Sequence, residues 1–186
     1  NAIKEMLDLI NKDSKMVSVN EVTEGAACTV LLAKDLINND EELIIANSDQ
    51  WVNWNNQHFL SYLREKNADG GIVTFIATHP KWSFVKINEE GVVMEVAEKK
   101  PISNIATVGI YYFKKGSEFV QAAEQMINKN IRTNNEFYVA PVFNEMISSG
   151  KKILTYPIAE MRGLGTPEDL KRFMDITDKK TKVTES

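Results

Sequence analysis

The sequence holds a single cysteine, Cys28, in 186 residues, which excludes a disulfide framework. Its two histidines, His58 and His79, stand far apart with no ligand-spaced Cys or His beside them, so a zinc site has no support. No apolar run approaches the ~18 residues of a membrane span. An excess of positive charge is also missing: 22 Lys+Arg against 26 Asp+Glu give a net charge of -4, which provides no basic field for a nucleic-acid backbone. Neither a GxxxxGK[ST] phosphate loop nor a GxSxG nucleophile elbow occurs, removing ATPases of that type and serine hydrolases. No signal-peptide pattern surrounds Asn1. A cytoplasmic location is expected, and a start at Asn rather than Met suggests a chain beginning inside a longer gene product.

What is present, 43% hydrophobic and 26% charged residues, suits one globular domain with a sizeable core. It is expected over residues 1–177, with 178–186 a solvated tail. Apolar spacing predicts helices over Ile3–Ile10, Ala26–Ala33, Asn55–Arg64, Ser117–Asn128 and Tyr138–Ser148, and a last one opened by Thr166-Pro167-Glu168-Asp169. Thr23 is expected to N-cap the second of these. Strands are predicted at Met16–Val19, Glu42–Ala46, Ile72–Ile76, Ser83–Ile87, Val92–Ala97, Thr107–Phe113 and Ile153–Pro157. This alternation predicts a three-layer, Rossmann-like α/β fold with a mixed, mostly parallel sheet and helices on both faces. Met126, Met146 and Met174 fall on apolar helix faces and are expected in the core. Cys28 reads as a buried small hydrophobe, and Trp51, Trp54 and Trp82 as packing residues with wet edges.

Ligands of open α/β sheets bind beyond the carboxyl ends of strands, which selects three segments. At Thr23-Glu24-Gly25-Ala26, Gly25 would let a base or phosphate approach the backbone, although a plain helix start explains it too. Asp49, between Asn47 and Gln50 after a buried strand, can hold a hard cation such as Mg²⁺, or belong to an ordinary strand-end turn. Glu98-Lys99-Lys100-Pro101 pairs an acceptor for hydroxyls with a cation for phosphate, or forms a solvated charged turn.

In this order the segments resemble the sugar-1-phosphate nucleotidylyltransferases. The carrying stretches are Thr23-Glu24-Gly25-Ala26-Ala27, Asn47-Ser48-Asp49-Gln50, Glu98-Lys99-Lys100-Pro101 with Ile102-Ser103-Asn104, Ala106–Tyr111, Asn135-Glu136-Phe137-Tyr138 and Gly163–Leu170. The resemblance implies a nucleoside triphosphate and a sugar 1-phosphate as partners, pyrophosphate as leaving product, and a role in nucleotide-sugar and surface-polysaccharide synthesis. It places Asp49 on Mg²⁺ and Lys99 with Glu98 on the sugar phosphate, Asp49 and Lys99 being the catalytic candidates. Thr23, Glu24 and Gly25 would lie at the nucleotide, with Gln50 beside Asp49; Gly109 and Glu136 would line the sugar pocket.

Two departures stand out. The family opens with a strand and a glycine-rich loop bearing Arg and then Lys, and neither is in this sequence. The second metal carboxylate falls at Gly163, leaving Asp49 to rely on phosphates and water or on another acid such as Glu160. Two alternatives follow: a glycosyltransferase of the nucleotide-sugar fold, against which Asn47-Ser48-Asp49 lacks an Asp-x-Asp, and a non-catalytic nucleotide-sugar-binding domain. Trp51 and Phe113 are candidate interface residues for a homo-oligomer.

Overall fold

A computed structural model describes residues 2–184. Its helices are α1 (Ala2–Ile10), α2 (Ala26–Leu31), α3 (Lys34–Ile37), α4 (Asn56–Glu65), α5 (Gly116–Asn128), α6 (Val142–Ser148) and α7 (Pro167–Thr184). Its strands are β1 (Leu43–Ala46), β2 (Gln50–Asn53), β3 (Gly70–Ile76), β4 (Ser83–Ile87), β5 (Val93–Glu98), β6 (Ile105–Phe113), β7 (Ile153–Pro157) and β8 (Glu160–Gly163).

The organising element is β6. Its run IATVGIYYF is buried at every residue but Ile105, as a strand must be when both sheet faces are covered. It pairs antiparallel with β3 along one side and with β1 and β4 along the other, in the order β5-β4-β6-β3-β7 with β1 joined to β6. On one face Phe119 of α5 and Phe143 of α6 cover Phe113; Phe113 and Phe143 stack with centroids 4.7 Å apart. On the other, Phe59 and Leu63 of α4 cover Val73, Val108, Ile110 and Tyr112. Each such fully buried side chain contributes about 1.5–3 kcal/mol of transfer free energy.

Helices do lie on both faces of a mixed sheet, but its pairings are mostly antiparallel: among the described residues only β3 and β7 pair in parallel. The connections explain this. The link 88–92 is short and helix-free and joins the antiparallel neighbours β4 and β5, and β6 runs against all three strands it pairs with, β1, β3 and β4. Alternation of elements along a sequence does not by itself distinguish the two.

Other expectations are corrected. Met16–Val19 forms no strand, since no neighbouring strand lies beside it among the described residues, and Met16, Val17 and Val19 remain exposed. The helix expected from Tyr138 starts at Val142, after Pro141 at its N-cap. Thr23 does not cap α2; Gly25 is the N-cap residue, and the Thr23 hydroxyl donates instead to the Gly25 carbonyl at 3.1 Å. Phe113 is fully buried and Trp51 packs on Phe173 at 5.9 Å, so Phe113 offers no interface, while Met174 is 57% exposed rather than core. The short pair β2–β8 was not anticipated. No helix among the described residues is long and apolar enough to cross a membrane.

Candidate functional site

An open cleft of about 500 Å³ lies over the β6 segment from Thr107 to Tyr111. Along one wall β1 ends at Ala46 and β2 begins at Gln50, so the turn Asn47-Ser48-Asp49 crosses the carboxyl end of β1. Asn47 N–H donates to the Gly109 carbonyl at 3.0 Å. A Cβ on Gly109, whose φ is +86°, would lie 2.5 Å from Asn47 Nδ2, which explains why this strand position has no side chain. The Gln50 Nε2 atom is buried with no hydrogen-bond partner, a donor whose isolation costs about 1–3 kcal/mol.

The β2–β8 pair brings the chain's end to this wall. Gln50 faces Gly163 in register, and Leu164 N–H donates to the Asp49 carbonyl at 2.7 Å. The Asp49 carboxylate lies against Gly165: a Cβ there would stand 2.5 Å from Oδ2. A Cβ at Gly163 would meet Asp169 Oδ2 at 3.6 Å. Asp169 is held in the first turn of α7, where its N–H donates to the Thr166 hydroxyl at 3.1 Å. Glu160, the substitute acid suggested by the sequence, is instead ion-paired with Arg162.

The facing wall is more enclosed. Ser83 and Glu98 are register partners on β4 and β5, and the Ser83 hydroxyl donates to the Glu98 carboxylate. Burial pushes the Glu98 carboxyl above the usual carboxylate range, opposed by the Ser83 hydrogen bond and by Lys99. Tyr111, whose phenol burial pushes up to about 12, shares a 3.1 Å hydrogen bond with Thr107. Lys99 takes a left-handed backbone with φ +54°, its N–H donating to the Trp82 carbonyl at 3.1 Å. Its ammonium donates to Tyr138 Oη at 2.5 Å, the main cause of a raised lysine pKa.

The cleft therefore brings together Asn47, Asp49, Gln50, Glu98, Lys99 and Gly109. It does not include Thr23 and Glu24, which line a separate hollow of about 580 Å³ with Ser18–Val22, Cys28 and Leu32. Gly25 packs on the Phe137 backbone, 2.5 Å from where its Cβ would be, with only Ala26 of that loop reaching the cleft. Glu136 does not line the cleft and acts on it only through Tyr138, whose phenol is pushed up by burial and by the Glu136 carboxylate. Sequence reasoning missed Lys81, Ser83, Tyr138 and Asp169, all on the cleft wall. Tyr138 and Asp169 lay within stretches that carry the resemblance; Lys81 and Ser83 carried no local signal. Among the described residues no group of three or more His, Cys, Asp or Glu could hold a metal.

A mixed sheet sandwiched by helices, with an open cleft across the end of β1, defines a three-layer α/β protein. The chain belongs to the nucleotidyl transferase family, whose profile matches residues 4–179. Among solved structures it is similar to a nucleoside-diphosphate-sugar pyrophosphorylase from Vibrio cholerae RC9, at 24% identity and TM-score 0.76 over 94% of this chain and 75% of that one. It is also similar to a UDP-glucose pyrophosphorylase crystallised with UDP-glucose, at 18% identity and TM-score 0.75 over 97% and 72%. At these identities the likeness is one of fold. No curated protein matches the sequence.

Proposed function

We propose that this chain carries the sugar-phosphate half, and the Asp49 wall of the nucleotide half, of a nucleotidylyltransferase that joins a nucleoside triphosphate to a sugar 1-phosphate. The observation that carries this reading is the single cleft holding Asp49 and Gln50 on one wall and Glu98 and Lys99 on the other. One wall suits a polyphosphate and the other a sugar phosphate. Family membership supports the reaction class, and the relatives named above include a UDP-glucose pyrophosphorylase.

In this reaction an oxygen of the sugar phosphate attacks the α-phosphorus in line, the new P–O bond forming as the bond to the β-phosphate oxygen breaks and pyrophosphate leaves. Such chemistry needs positioning and charge neutralisation rather than a protein nucleophile. Lys99 would neutralise the sugar phosphate, the nucleophile's own charge being the main obstacle to approach. Glu98, held by Ser83, would accept hydrogen bonds from sugar hydroxyls. Gln50 Nε2, lacking a protein acceptor, would donate to a ligand oxygen.

Mg²⁺ fits the same wall. Gly165 leaves the Asp49 carboxylate room that a Cβ would take, and a carboxylate with substrate phosphates and water is a donor set that Mg²⁺ accepts. The ion would supply charge neutralisation for the triphosphate.

The test is pyrophosphate release across a panel of nucleoside triphosphates and sugar 1-phosphates with Mg²⁺, against Asp49→Asn as control. Release that needs both substrates supports the reading. Binding of a nucleotide sugar without any release supports a second one, a non-catalytic nucleotide-sugar-binding domain, which Gly163 in place of a metal carboxylate favours.

A further inference from the structure

Neither Arg132 nor the hydroxyl of Tyr138 belongs to the roles above, yet both are committed to several contacts at opposite ends of one short segment. Arg132 Nε donates to Asn130 Oδ1 at 2.6 Å and Nη1 to the Asn135 carbonyl at 2.9 Å, while Nη2 pairs with the Glu24 carboxylate. The guanidinium carbon also lies 3.9 Å from the centre of the Phe137 ring. A lone exposed ion pair stabilises little; a fork fixed on three oxygens and stacked on a ring holds one geometry.

Between these residues the chain turns tightly. Thr133 and Glu136 exchange backbone hydrogen bonds of 3.0 and 2.9 Å, and Asn134 and Asn135 take φ of +48° and +64°. Phe137 is 1% exposed in the main core. Its N–H donates to the Glu24 carbonyl at 2.8 Å and its carbonyl accepts from Ala27 N–H at 2.9 Å, so its backbone clasps the Gly25 turn from both sides. The next residue, Tyr138, accepts from the Lys99 ammonium at 2.5 Å. The Lys99 nitrogen is 4.7 Å from the Tyr138 ring centre, so with the hydroxyl much nearer it is the oxygen that holds it.

We infer that Arg132–Tyr138 is a positioning strap joining the Gly25 turn, which reaches the cleft through Ala26, to the Glu98–Lys99 wall: Arg132 and Phe137 fix the turn, and Tyr138 aims the Lys99 ammonium. The inference rests on the reading of the cleft given above. A lysine stem left free loses rotamer entropy when it meets a phosphate; Tyr138 and the left-handed Lys99 backbone incur that loss in advance. Because Phe137 and Tyr138 are consecutive, the spacing between the turn and the wall is fixed by one peptide unit.

The test compares Tyr138→Phe, Arg132→Gln and Arg132→Lys in the whole chain, reading both KM values and backbone amide hydrogen exchange. Tyr138→Phe should raise the KM for sugar 1-phosphate about five- to tenfold and leave that for the nucleoside triphosphate within about twofold, as loss of a single aiming contact requires. Arg132→Gln should speed exchange at the Ala27 and Phe137 amides and leave the KM for sugar 1-phosphate within about twofold, with Arg132→Lys intermediate in exchange. Equal shifts of both KM values in Tyr138→Phe, or unchanged Ala27 and Phe137 exchange in Arg132→Gln, would overturn the strap. If the unaltered chain releases no pyrophosphate, the proposed reaction fails and exchange alone decides: faster exchange upholds the strap at the Gly25 turn, and unchanged exchange removes it.

Discussion

The two walls of the cleft are built by different rules. On the Glu98–Lys99 wall the polar groups meet protein partners: Ser83 on Glu98, Tyr138 on Lys99, Thr107 on Tyr111. On the Asp49 wall Gln50 Nε2 is buried without a partner, and no hydrogen bond reaches the Asp49 carboxylate among the described residues. A polyphosphate with its cation brings its own strong donors and acceptors, so the wall that receives it can be left unsatisfied. On the proposed reading the other wall meets a sugar ring whose hydroxyls are directional, beside one phosphate, and recognition of those needs side chains already held in place.

The most severe way to break this contrast is at Asp49. Asp49→Asn keeps the shape and removes the charge; pyrophosphate release is expected to fall by about 10²–10³ or more, the scale of losing a principal electrostatic group, with the melting temperature nearly unchanged. A drop in both would place Asp49 in the fold rather than the site.

Gly165→Ala attacks the same wall through space. Its Cβ would stand 2.5 Å from Asp49 Oδ2, the end of a side chain that can swing away, so the fold should survive. Turnover is expected to fall about tenfold or more through displacement of the carboxylate. Full activity would mean that the position of the Asp49 carboxylate is not critical.

On the enclosed wall, Lys99→Ala should raise the KM for sugar 1-phosphate about tenfold through loss of one charge-assisted contact. A change confined to the nucleotide KM would reassign Lys99 to the other wall.

Glu98→Gln gives the smallest effect on the fold, and of opposite sign to its effect on function. Burial raises the Glu98 carboxyl in the folded protein, so its contribution to stability is fully present below the ordinary carboxylate pKa and is lost as pH rises through the raised value. The amide escapes that loss. Thermal melts across pH should show the variant gaining on the parent toward neutrality and not at acid pH, while its KM for sugar 1-phosphate increases. A pH-independent difference would mean that Glu98 titrates normally.

Much of this architecture is legible in the amino-acid sequence because it is local. Ile153–Pro157 and Ser83–Ile87 form strands over the predicted residues, as apolar runs bounded by turns do. Asp49, Gln50, Glu98, Lys99 and Gly109 could be nominated since they follow strands or lie in a quoted strand motif, and the structure gathers them in one cleft. What could not be read is what long-range pairing decides. QWVN and EMRG are short and partly polar, and become β2 and β8 only because they meet across 107 to 113 positions of sequence, Gln50 opposite Gly163 among them. The alternation in Met16–Val19 is real but finds no neighbouring strand. Phe113, expected at a surface, is buried because α5 and α6 fold over it. Arg132 carried no signal, for its four contacts depend on a turn and on a loop 108 residues away.

The most direct test of the central claim is exchange of labelled pyrophosphate into nucleoside triphosphate by the whole chain with Mg²⁺. Direct transfer between two bound substrates is expected to give exchange only when sugar 1-phosphate or the nucleotide sugar is present. Exchange without any sugar would reveal a nucleotidyl group carried on the protein, and no exchange under any condition would show that the chain does not catalyse the transfer; either result contradicts the account.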